Sequence, residues 1–178
     1  MGFEKGTYRI QNEKSKEYVT LAENKNEEGT RLATTNNVTD ENTKWILKPT
    51  NVDHRPDYYA IQTGAGKCHA GLLLQFSVDK MSDRKKGGPV TMDYNPGPYD
   101  VALTSKATHV FHISQRGSVY LISAFGSGPH WGLGKELAEK TGHAVAMNED
   151  TTNDENHWKI EKVDVVSQLR DAIEHVVL

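Results

Sequence analysis

The side chains best equipped for chemistry stand together in "TGAGKCHA", where Lys67, Cys68 and His69 are consecutive. A thiol beside an imidazole could form a nucleophile and its base. Neighbours on an extended chain point to opposite sides, however, so local geometry opposes that pairing. No G-x-S-x-G elbow, H-E-x-x-H pair, P-loop or G-x-G-x-x-G turn occurs. The eight histidines are scattered, and His109 and His112 flank Phe111 as strand residues would. The acidic run "NEDTTNDEN" lacks the ordered ligands and loop glycine of an EF-hand and reads as a solvated loop. The expectation is a protein that binds and does not catalyse, with no metal and no cofactor.

The elements that must position any site are written in a repeat. "DENTKWILK" (Asp40 to Lys48) returns as "DENHWKIEK" (Asp154 to Lys162). Around it, "GTYRIQN", "DYYAIQT" and "GSVYLIS" alternate apolar and polar residues with the period of a half-buried strand. Each is followed by a second apolar segment, "EYVTLA", "HAGLLLQ" or "HWGLGK". A glycine then opens a third: "GTRLAT", "GPVTMDY" (Gly88 to Tyr94) or "GHAVAM". The fourth segments are "TKWILKP", "HVFHIS" and "HWKIEKV". Gly29 precedes Trp45 by the same interval that separates Gly142 from Trp158. The longer middle repeat places its insertions at "SVDKMSDRKK" and "NPGPYDVALTSKA".

Three repeats of four short strands predict an all-β chain folded as a β-trefoil, a six-stranded barrel capped by three hairpins. The domain spans 1–163, with repeats at about 6–50, 57–114 and 117–163. Trp45, Phe111 and Trp158 are then equivalent core aromatics. The tail, 164–178, follows a helical apolar stripe through Val165, Val166, Leu169, Ile173 and Val176, with Asp164 as N-cap. It reads as a short helix packed across the barrel, or as a dimer contact.

A net charge of -3 and a pI near 6.2 give no global field to draw nucleic acid or an acidic membrane. One cysteine excludes an internal disulfide framework. "MGFEKGTYRI" has no apolar core of a signal peptide, and no window is long enough for a membrane span, so a cytoplasmic protein is expected.

The threefold pattern resembles ricin-B-like lectin domains, whose repeats carry Q-x-W and a strand aspartate that binds sugar hydroxyls. The Q-x-W positions here read Thr43-Lys44-Trp45, His109-Val110-Phe111 and Asn156-His157-Trp158, and the aspartate positions read Thr20, Gly71 and Gly132. The opening "MGFEKGTYRI" is also similar to the start of mycocypins, fungal β-trefoil inhibitors of proteases. That resemblance implies insertion of loops into a protease cleft, papain-like through the loops after strands one and three. Here those loops hold Lys14, Ser15 and Lys16, and Asn36, Asn37 and Asp40. It also implies a second protease site between strands five and six, at Gly66, Lys67 and Cys68. Lys67, just after Gly64 and Gly66, suits a trypsin-like pocket, or is an ordinary exposed lysine. Protease inhibition is the leading expectation. The alternative is a ricin-B-like lectin with an atypical sugar site and glycans as partners. A third reading is an assembly subunit docking through the C-terminal helix.

Overall fold

The computed structural model describes residues 2–50, 55–72, 101–104, 110–124, 129–137 and 142–163. The helix expected over 164–178, the strand expected at Gly88 to Tyr94 and the basic run Arg84 to Lys86 lie outside them.

Among the described residues there are twelve strands: β1 (Gly6–Asn12), β2 (Tyr18–Leu21), β3 (Leu32–Thr35), β4 (Trp45–Pro49), β5 (Tyr58–Thr63), β6 (His69–Leu72), β7 (Val101–Thr104), β8 (Phe111–Arg116), β9 (Val119–Ser123), β10 (His130–Glu136), β11 (His143–Asn148) and β12 (Trp158–Lys162). Their alternation decides which side faces in. In β1, Tyr8, Ile10 and Asn12 are buried while Arg9 and Gln11 turn outward.

Six strands close a ring. β1 pairs with β12, β12 with β9, β9 with β8, β8 with β5, β5 with β4, and β4 returns to β1. Closure removes the unpaired edges that a flat sheet would expose. The other six strands form three hairpins, β2–β3, β6–β7 and β10–β11. These touch one another through Ala33 opposite Ala144 and the bridge Arg31 to Ala102. The architecture is a β-trefoil.

One strand of the middle repeat differs from expectation. The partner of β6 is Val101–Thr104, inside the segment read as an insertion. A glycine opens the third segment in the other two repeats, and the same cue falls at Gly88 in this one. The register shows the true equivalence. Thr20, Gly71 and Gly132 lie opposite Ala33, Ala102 and Ala146, so small residues recur at one point in all three hairpins.

Trp45, Phe111 and Trp158 are fully buried, as the repeat implies. Each stands opposite a tyrosine in the barrel wall: Tyr8, Tyr59 and Tyr120 respectively. Phe3 meets all three tyrosine rings, at centroid distances of 5.4, 5.8 and 5.0 Å. Its backbone N–H donates to the Tyr59 hydroxyl at 2.7 Å, and the Tyr8 hydroxyl donates to the Glu4 carbonyl at 2.9 Å. The opening Gly-Phe-Glu segment therefore plugs the end of the barrel near its pseudo-threefold axis. Removing this half-buried ring should cost about 2 kcal/mol, below the range for a fully buried phenylalanine. Phe3→Ala is expected to lower the denaturation midpoint accordingly in a urea titration; an unchanged midpoint would show that the plug does not support the barrel.

Candidate functional site

The β1–β2 turn is built on Asn12, whose side-chain oxygen accepts from the backbone N–H of Lys14 at 3.0 Å and Ser15 at 3.1 Å. Its amide donates to the Glu155 carbonyl at 2.8 Å, tying the turn to the third repeat. Lys16 takes a left-handed φ of 61°, which costs a non-glycine residue some strain. Neither lysine is a free basic probe. Lys14 pairs with Glu155, and Lys16 lies 3.0 Å from Glu13. Hydrogen bonds from Lys16, and then from Lys159, hold the Glu13 carboxyl below the usual carboxylate range.

Tyr18 pairs with Thr35, which sets the end of this turn beside the start of the β3–β4 loop. Lys14, Ser15 and Lys16 therefore share one end of the hairpin with Asn36 and Asn37. Asn36 is exposed. Asn37 folds the loop on itself, accepting from the Thr39 N–H at 3.1 Å and the Thr39 hydroxyl at 2.8 Å. Arg9 donates to the Val38 carbonyl at 3.1 Å.

Asp40 leaves the other two. It is the N-cap of a 3₁₀ turn, Glu41–Thr43, with Oδ1 accepting from the Asn42 N–H at 2.9 Å. Its Oδ2 accepts from the Thr20 hydroxyl at 2.6 Å. The strand position read as carrying threonine where a carboxylate would serve is thus supplied with one from the loop. Around it, the Asn42 amide lies 3.5 Å from the Asn24 side-chain oxygen. Asp40 and Asn42 are half-buried, Asn24 is exposed, and Thr20 is buried. A carboxylate oxygen has acceptor capacity left after one bond. The cluster therefore presents acceptors and an amide donor on a fixed frame.

The third repeat does not reproduce it. The phrase Asp-Glu-Asn recurs, but one residue closer to its tryptophan. The cap of the second 3₁₀ turn, Asp154–Asn156, is consequently Asn153, which accepts from the Glu155 N–H. Asn156 enters the core and fills the space above Gly132. A Cβ on Gly132 would come within 1.9 Å of Asn156 Oδ1 and 2.3 Å of Asn148 Nδ2. No side chain fits there, an aspartate least of all.

Lys67 stands elsewhere. Its turn is closed by Gly66 N–H to the Thr63 carbonyl at 2.8 Å and Gln62 to the Gly66 carbonyl at 2.6 Å, with Gly66 at φ 76°. Gly64 donates to the Lys44 carbonyl at 2.9 Å. Lys67 and Gly66 are exposed. Cys68 is not part of that presented surface. Its thiol is in the core, 3.7 Å from the Asn26 carbonyl, and burial followed by nearby Glu28 pushes its pKa up. Among the described residues no hydrogen bond or ion pair joins this turn to the β1–β2 turn. Among the described residues, three or more His, Cys, Asp or Glu residues nowhere gather as a metal cluster, and no helix is long and apolar enough to cross a membrane.

Residues 2–80 match the family described as "Ricin-type beta-trefoil lectin domain-like". The whole fold is similar to the Rhizoctonia solani agglutinin, with 16% identity, a TM-score of 0.68, and 92% of this chain and 99% of that one covered. It is similar also to the Macrolepiota procera ricin B-like lectin, solved in complex with lactose: 13% identity, TM-score 0.65, coverage 90% and 99%. A designed threefold-symmetric protein, ThreeFoil, gives 14% identity, a TM-score of 0.64 and coverage of 89% and 99%. No curated protein sequence matches. The chain has the ricin-B-like β-trefoil fold. The likeness to mycocypins rests on the first strand alone.

The Gly132 geometry yields a prediction. Gly132→Ala forces the bonded Asn148–Asn156 pair apart, an overpacking that costs about 1–3 kcal/mol. Thermal unfolding should show a lower midpoint, and an unchanged one would mean that the asparagines move aside freely.

Proposed function

We propose that this protein binds glycans, without catalysis, through the hairpin of its first repeat. The observation that carries the reading is the Asp40 carboxylate, held by Thr20 at the hairpin position where sugar-binding trefoils use a strand aspartate. The matched segment, residues 2–80, contains this whole repeat, and the lectins of similar fold lend support. Asp40 would accept from a pair of sugar hydroxyls, and Asn42 and Asn24 would complete the polar rim. Tyr18 lies two residues before Thr20, on the same face of β2, and is half-buried. It is the aromatic best placed on that strand to lie against a sugar ring.

The experiment is a glycan array with the purified protein, followed by calorimetry of the strongest ligand. Asp40→Asn retains the size of the side chain and removes its charge. It should weaken binding at least about tenfold, the worth of a hydrogen bond to a charged group. Full affinity in the variant would remove Asp40 from the site, and no binding across the array would end the glycan reading.

A second reading keeps protease inhibition, on the strength of the Lys67 turn. Its tip is exposed and its backbone is fixed by five hydrogen bonds within Gln62 to Cys68 and to Lys44, the preorganisation that an inserted loop needs. Trypsin titrated with the protein should lose activity, and Lys67→Ala should restore it. Undiminished trypsin activity with the parent protein would remove this reading.

A further inference from the structure

The barrel end closed by Phe3 is not closed evenly. The three equivalent tyrosines end differently. The Tyr8 hydroxyl is bonded to the Glu4 carbonyl, and the Tyr59 oxygen accepts from the Phe3 N–H. The Tyr120 hydroxyl has no hydrogen-bond partner among the described residues. It lines a cleft of about 150 Å³ together with Phe3, Asp57, Tyr59, Ser114 and Gln115.

The polar groups of this cleft converge and are mostly unspent. The Asp57 backbone carbonyl is fixed by the Ile113 N–H at 3.0 Å, but its carboxylate has no hydrogen-bond or ion-pair partner among the described residues. The Ser114 hydroxyl likewise has none. Gln115 donates its amide to the Gly117 carbonyl at 3.0 Å, which leaves its oxygen as an acceptor. Tyr59 uses its oxygen as an acceptor, which leaves its O–H to donate. The cleft thus offers hydroxyl donors (Tyr59, Ser114, Tyr120) beside acceptors (Asp57, Gln115), with the Phe3 and Tyr120 rings as apolar walls.

We infer that this cleft is a binding site for a small neutral polyol, of the size of one hexose ring. A ligand with neighbouring hydroxyls both gives and takes hydrogen bonds, so it satisfies both kinds of group. A cation has no lone pair to accept from the hydroxyl donors, and an anion would meet Asp57 with no basic residue in the lining. The volume supports a single ring, because pockets for drug-sized ligands start near ~300 Å³. Gly2 keeps the entrance open on the Tyr59 side, where a Cβ would approach the tyrosine oxygen to 2.8 Å. The site lies at the β5–β8–β9 wall, away from the Asp40 hairpin, and does not depend on glycan binding there.

The test is amide-shift mapping of the isotope-labelled full chain with methyl glucoside, methyl galactoside, methyl mannoside and tetramethylammonium as separate probes. At least one hexoside should move the amides of Phe3, Ser114 and Gln115. Asp57→Asn and Tyr120→Phe should each weaken that titration about tenfold while leaving the thermal midpoint in place. Shifts confined to Asn24 and Asn42 would overturn the cleft and leave the hairpin reading standing. Movement of the cleft amides by tetramethylammonium and by no hexoside would overturn the polyol assignment. Silence at the cleft with every probe, or hexoside binding equal in both variants, would overturn the site.

Discussion

Two buried indole hydrogen bonds fix two of the three hairpins on the barrel. Trp45 donates from Nε1 to the Val19 carbonyl at 2.9 Å, and Trp158 donates to the Trp131 carbonyl at 2.8 Å. Each joins a barrel strand to the hairpin that caps its own repeat. A buried N–H left without a partner would cost about 1–3 kcal/mol, so neither hairpin can slide along its strand without that penalty. The residue after each accepting carbonyl is the hairpin position of interest, Thr20 in one repeat and Gly132 in the other. The middle repeat has Phe111 at the equivalent place, with no N–H to give. Its ring instead packs edge-on to Trp131 at 5.2 Å. The barrel is thus symmetric in its backbone and asymmetric in how it grips its cap.

The proposed function rests on that asymmetry. Three hairpins of equal register carry Thr20, Gly71 and Gly132 at one point, and the register alone makes none of them a site. What distinguishes the first is the frame of its 3₁₀ turn. Asp40 is the cap and therefore points back to Thr20, while in the third repeat the acid is displaced by one residue and an asparagine caps instead. The vacated space there is taken by Asn156, whose amide is bonded to Asn148 at 2.9 Å and to the Asp150 carbonyl. A shift of one residue converts a polar rim into packed structure.

Much of the fold was legible because strand alternation and a threefold phrase are local properties of the chain. Trp45, Phe111 and Trp158 could be read as core from their place in the repeat. The middle third strand could not. A glycine anchor pointed to Gly88, whereas pairing with β6 depends on a long-range register that Val101 to Thr104 satisfies. The site was half legible. Asp40 was recognisable as a loop residue of interest and Thr20 as the place where a carboxylate was missing. That the two meet follows from a hydrogen bond across twenty residues of sequence, which no spacing rule supplies. Cys68 shows the opposite failure. It sits beside an exposed lysine in sequence, yet its thiol is buried in the core just ahead of β6. Phe3 gave no sign of its role, because a single aromatic ahead of the first strand has no periodicity to betray its partners.

The most direct test of the central claim is a crystal structure of the protein soaked with its tightest array ligand. The account predicts sugar density on the β2–β3 hairpin, with two hydroxyls within hydrogen-bond distance of the Asp40 carboxylate and Thr20 still bonded to it. Density at the Gly71 or Gly132 hairpin with Asp40 untouched would contradict it.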